Sequence, residues 1–166
     1  MKMIWCRRLA LCAIALVGAV VPTPPGSQAA GDLSRQQPLV VEVALGGGEG
    51  KHAFEPSRLR FETGRLYRLV LRNNSRDPHY FTSDEFVARI FTRKVQVTQR
   101  GDDGRETTLA EFKGSIREIE VYPGHAAEWW FVPVATGKAT DLHCGIVGSD
   151  GRTHAEHGMV GEIIIE

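Results

Sequence analysis

The sequence predicts an all-β fold, a β-sandwich or barrel of seven to eight strands with one short inserted helix. Three observations carry that expectation. From residue 39 to the end, short runs rich in β-branched and aromatic residues alternate with breaks containing Gly and Pro. One stretch, 82–94, instead shows an apolar repeat at four-residue intervals. No internal repeat, long low-complexity tract or second composition interrupts the remainder, so one domain accounts for the length of 166 residues.

Residues 1–29 stand apart from this pattern. Lys2, Arg7 and Arg8 precede LALCAIALVGAVV (9–21), an apolar run of 13 residues. A bilayer span takes roughly 20, whereas a run of this length behind a basic start has the form of a secretory signal peptide. PTPPGSQAA then breaks any helix and places small residues at 27 and 29, so cleavage is expected after Ala29. Cys12 makes a poor lipid-attachment site, because Leu11 precedes it and the apolar run continues. The expectation is a signal peptide at 1–29 and a mature domain at 30–166, periplasmic or secreted, with no membrane span after cleavage.

The strands follow in order. LVVEVAL (39–45) ends at GGGEG; RLRF (58–61) and YRLVLRN (67–73) flank a hairpin signal at Glu62-Thr63-Gly64. In TSDEFVARIFTRK (82–94), Thr82 and Glu85 have capping-box spacing, and Phe86/Ile90 and Val87/Phe91 recur helically, predicting two to three turns. KVQVTQ (94–99) stops at GDDG, SIREIEVY (115–122) runs into Pro123-Gly124, and AEWWFVPV (127–134) follows. ATDLHC (139–144) and EIIIE (162–166) complete the set. Alternation sends Trp129 and Trp130 to opposite faces, one to the core and one to the surface.

Charge and cysteine usage narrow the function. The whole chain balances 20 basic against 20 acidic residues; the mature part has 17 against 20, a net charge of −3. A nucleic-acid binder working by phosphate neutralisation is excluded on that balance. Cys6 and Cys12 leave with the signal, as do Met1 and Met3, so Cys144 and Met159 are each alone in the mature chain, beside six histidines. One cysteine makes no internal disulfide, and a lone thiol in an oxidising compartment is a liability unless something occupies it. Cys144, His154 and Met159 share one connection between the last two strands, and His79 follows an earlier strand. Thiolate, imidazole and thioether donors select copper over the oxygen-seeking cations, and two His, one Cys and a weak Met form the blue-copper pattern.

The segment from about 54 to 166 resembles the small periplasmic cupredoxins, the plastocyanin- and azurin-like blue-copper family. The resemblance rests on FEPSRLRFETGRLYRLVLRNNSRDPHYF, on VYPGHAAEWWFVPVATG, and on C…H-x4-M-V-G-E-I-I-I, in that order. It implies a Greek-key sandwich, one copper ion cycling between Cu(I) and Cu(II), equatorial donors His79, Cys144 and His154, and axial Met159. Nine residues separate Cys144 from His154, against roughly two to four in the family. The His154–Met159 spacing agrees with the family, which favours His154 over His157, although His157 stays open as a replacement or an extra ligand.

His52 and His125 are read as ordinary surface or hydrogen-bonded histidines, and Asp141 and Glu156 as solvated. A binuclear copper site would need a second cysteine on the loop, and a multicopper oxidase His-x-His motifs and further domains; neither is present. His143-Cys144 has the adjacency that bridges two coppers in nitrite reductases, but a single domain lacks the remaining histidines, so His143 is assigned to the outer face. The leading expectation is electron transfer with a redox partner protein, by a protein that is not an enzyme. The alternative is a copper carrier or scavenger exchanging the ion with a donor or acceptor. The polar insertion 145–153 is expected to reshape the electron port at His154.

Overall fold

Which residues face inward decides how these strands pair. In β4 (Tyr67–Asn73) nearly every position is buried, as in a central strand covered on both faces, and in β9 (His125–Pro133) likewise. In β3 (Arg58–Phe61) and β8 (Glu118–Val121), exposed and buried residues alternate strictly, as at a sheet edge. The computed structural model describes residues 36–47 and 50–166; the expected signal peptide lies outside the described residues.

Among the described residues, eleven strands make two sheets. With β1 (Leu39–Gly47), β2 (Lys51–Glu55), β6 (Ile90–Arg100) and β7 (Glu106–Phe112), the first runs β2-β1-β4-β9-β6-β7. With β5 (His79–Thr82), β10 (Gly137–His143) and β11 (Val160–Ile165), the second runs β3-β11-β10-β5-β8. The β1/β4 and β3/β11 pairs are parallel and the other pairs antiparallel. The count exceeds seven or eight because β2, β5 and β7 lie in segments whose local pattern is weak; β7 is exposed along most of its length and pairs with β6 alone.

Between the sheets, Phe61, Tyr67, Phe86, Trp129 and Phe131 pack edge to face and stacked, with centroids 4.8–6.1 Å apart. Of the two tryptophans expected on opposite faces, Trp129 is the one in the core. Trp130 lies outside, between Arg68 and Lys94, whose charges sit 5.7 and 4.9 Å from its ring.

Two local expectations are corrected. Residues 58–61 and 67–73 do not form a hairpin: β3 joins β11 and β4 joins β1 and β9, in different sheets. The connector crosses the sandwich because Leu66 is itself buried and the Glu62 amide donates to the Tyr67 hydroxyl at 2.9 Å. The helix is a single turn, α1 (Asp84–Val87), capped by Ser83 rather than Thr82: the Phe86 amide donates to Ser83 Oγ at 3.2 Å. Phe91 is 63% exposed, and β6 takes over at Ile90 by pairing with Pro133, so backbone pairing with β9 overrides the helical repeat.

Candidate metal centre

One end of the sandwich collects the four expected donors, His79, Cys144, His154 and Met159. There β1, β4 and β10 finish, and β2, β5 and β11 begin. His79 opens β5, Cys144 follows the last residue of β10, and Met159 precedes the first of β11. All are buried: His79 is 1% exposed, His154 2%, and Cys144 and Met159 0%.

Three donor atoms converge. His79 Nδ1 and His154 Nδ1 are 3.1 Å apart, and Cys144 Sγ lies 3.9 Å from the first and 3.5 Å from the second. A point equidistant from all three lies about 2 Å from each, close to the bond length that a first-row metal makes to imidazole nitrogen. The residues therefore fit one ion at the centre of the triangle, and the soft, partly nitrogenous donor set fits copper. Met159 belongs to the same buried cluster as Cys144. Its backbone ties the loop shut: the Cys144 amide donates to the Met159 carbonyl at 3.2 Å, and the Met159 amide to the His154 carbonyl at 2.9 Å.

Surrounding hydrogen bonds orient His79 and Cys144. His79 Nε2 meets Ser75 Oγ at 2.9 Å, Ser75 Oγ donates to Asn73 Oδ1 at 2.7 Å, and buried Asn73 Nδ2 donates to the Val121 and Asp77 carbonyls at 2.7 and 2.8 Å. With the proton on Nε2, the inward Nδ1 keeps its lone pair. Cys144 Sγ accepts the Tyr80 amide at 3.3 Å. Burial pushes the Cys144 thiol pKa up, against the Ile146 and Tyr80 amides, which pull it down. Burial and then the neighbouring His154 and His52 lower the His79 pKa to about 4; burial and then His52 lower that of His154. At neutral pH the metal-free pocket thus holds a protonated thiol and neutral imidazoles, ready to ligate once the thiol proton leaves.

The nine-residue spacer is absorbed by a small hairpin. Val147 and Thr153 form a bridge, Gly148 N donates to the Arg152 carbonyl at 2.7 Å, and His154 N donates to the Ile146 carbonyl at 2.8 Å. Residues 146 and 154 are therefore neighbours across the hairpin neck, and the insertion projects away without displacing His154. His157 turns aside to Asp150 Oδ2 at 2.8 Å, outside the donor triangle.

His52 corrects the sequence reading. Its ring stacks on that of His154, centroids 3.7 Å apart and planes 19° apart, and it meets His79 edge-on at 5.9 Å. The ligand atoms of His52, His79 and His154 all lie within 4.8 Å of one another. The signal was two-residue alternation: His52 shares a strand face with buried Phe54. It became readable only once β2 was known as a strand. Asp141 is a second correction, because it is a fastening and not merely solvated: it accepts from Ser83 Oγ and, at 2.9 Å, from the Glu85 amide, pinning α1 beside β10. Glu156, though exposed, accepts from the Thr153 amide at 2.7 Å and braces the turn before His157. His125 matches its expectation, with Nδ1 2.9 Å from the Pro123 carbonyl. His143 likewise points away from Cys144, its Nδ1 2.7 Å from the Asp141 carbonyl.

No family model matches the sequence, and no curated protein matches it. Solved structures do. A multicopper oxidase from Campylobacter jejuni, described as a metallo-oxidase, is 18% identical with a TM-score of 0.53, over 78% of this chain and 30% of that one. A multi-copper oxidase from Pediococcus acidilactici is 16% identical with a TM-score of 0.50, over 79% of this chain and 27% of its own. Auracyanin A, a "blue" copper protein from Chloroflexus aurantiacus, is 16% identical with a TM-score of 0.44, over 78% of this chain and 100% of its own. This chain spans less than a third of the two oxidases, and the likeness to them is one of fold: the sandwich is the cupredoxin fold.

Proposed function

We propose that the chain is an exported mononuclear copper protein that carries electrons through a type 1 centre. His79, Cys144 and His154 would be the equatorial donors and Met159 the weak axial one. The observation that carries this reading is the triangle of His79 Nδ1, His154 Nδ1 and Cys144 Sγ, with edges of 3.1, 3.5 and 3.9 Å, set in a fully buried pocket. A bound copper ion would supply reversible one-electron chemistry. The chain's own part is to hold the donors still: the Asn73–Ser75–His79 relay fixes one imidazole, the hairpin neck fixes the other, and the Tyr80 amide fixes the sulfur. Donors that need not move between oxidation states keep the reorganisation cost low.

On this reading the protein is not an enzyme, its partner is another redox protein, and residues 1–29 direct it to the periplasm or outside the cell. Among the described residues, no helix is long and apolar enough to cross a membrane. Copper carriage without redox turnover is the second reading, and the observation in its favour is half-buried His52 beside the donors. The closed hairpin supports the rigid, electron-carrying alternative.

Copper(II) added to the purified mature protein should produce an intense visible thiolate-to-copper absorption that bleaches and returns reversibly with reductant and oxidant. Cys144→Ser should lose that absorption while remaining folded. A colourless wild type that binds zinc as tightly as copper would defeat the proposal and indicate a tetrahedral structural site.

A further inference from the structure

The four buried donors leave open how a hydrated ion reaches them. A cleft of about 480 Å³ opens beside the site, lined among others by Lys51, His52, Arg76, Asp77 and His79. Buried His79, one of the expected donors, and half-buried His52 both line it. Among the described lining residues, Lys51, Arg76 and Asp77 are of mixed charge, and the soft donor atoms that face the cleft are imidazole nitrogens. His52 supplies one of them. Its ligand atom lies within 4.8 Å of those of His79 and His154, while bonds of about 2 Å span donors up to about 4 Å apart. A small rotation of the half-buried His52 ring closes that difference, and the buried pair need not move.

We infer that His52 is a third imidazole donor, which takes copper(II) into the cleft together with His79 and His154 before Cys144 captures it. Three imidazoles replace water molecules stepwise, so the ion is never stripped bare in a pocket that excludes water. Cys144 would then release its thiol proton to water in the cleft, and the resulting thiolate would displace His52, which returns to its stack on His154. The inference rests on the proposed copper site, but its test separates the two.

The test uses the purified mature chain and a copper(II) salt. In stopped-flow mixing, His52→Phe, which keeps an aromatic ring over His154 but has no donor, should slow the growth of the visible band by about tenfold or more. The final spectrum and stoichiometry should stay the same. An unchanged rate, or slowing in His52→Ala but not in His52→Phe, would overturn the inference and leave His52 a packing residue. A second measurement needs no thiolate colour. Copper(II) bound to Cys144→Ser should show electron paramagnetic resonance couplings from three imidazole nitrogens, falling to two when His52→Phe is added. Two nitrogens in both proteins would overturn it. A colourless wild type whose Cys144→Ser variant still binds copper(II) through three nitrogens would defeat the electron-transfer proposal and the hand-over to Cys144, while sustaining His52 as a third imidazole donor.

Discussion

Gly46 illustrates how closely single residues frame the pocket. Its φ of +77° lies in the left-handed region, and a Cβ there would come within 2.6 Å of His79 Nε2 and 2.7 Å of Ser75 Cβ. The left-handed backbone alone costs an alanine about 1–2 kcal/mol. Gly46→Ala should lose at least that in urea unfolding and should also shift the visible spectrum, because the clash falls on a donor ring. The two loop histidines separate at the same scale. His154→Ala should lose copper at stoichiometric loading, whereas His157→Ala should retain it, since His157 is engaged with Asp150. If only the His157 variant lost the metal, the donor assignment would be wrong. Met159→Leu should keep copper and raise the reduction potential, because removing a donor disfavours the more highly charged copper(II).

Among the elements, the connection from β10 to β11 matters most. Its hairpin is closed by Val147–Thr153 pairing and by the Ile146–His154 bond, so the turn at 148–151 hangs outside the site. Deleting that turn should leave copper stoichiometry and colour unchanged while altering electron exchange with a partner. The ring lying over His154 comes from β2 and not from the insertion, so the port is shaped by His52 as well as by the loop. The single-turn helix α1 depends on Ser83 and Asp141 more than on its own length, since one turn is too short to be stable alone. Ser83→Ala should cost about 1 kcal/mol by denaturant titration, the ordinary loss of an N-cap.

At the level of the whole molecule, buried titratable groups give the metal-free protein a bounded range of stability. The His79 pKa is lowered from 6.5 to about 4, so between those values the unfolded chain binds more protons, and stability falls as pH drops through this window. The Cys144 pKa is raised, so above the ordinary thiol value of 9.0 the unfolded chain loses its proton first, and stability falls again as pH rises. Each group alone can contribute a slope of up to about 1.4 kcal/mol per pH unit. Thermal melts of the metal-free protein should therefore plateau between about pH 6.5 and 9. Copper at about a thousandfold excess over its dissociation constant should add about 4 kcal/mol. A flat profile across pH 4–6.5 would place His79 in a more solvated setting than the fold shows.

Strand-period runs such as YRLVLRN, the break residues between them and the C…H-x4-M order are local properties of the chain, and they determined the β class and the four candidate donors by themselves. What local order does not contain is which segments become neighbours. The sheet assignment of β3 and β4, the ending of α1 after one turn and the strand character of β2 each depend on backbone pairing with distant partners. His52 shows the consequence: it lies 102 residues from His154 in the chain, and its place at the site exists only because β2 pairs with β1 at the end of the sandwich where β10 finishes. The spacing from Cys144 to His154 follows the same rule, since nine intervening residues act as a short link only after cross-strand hydrogen bonds fold them out of the path.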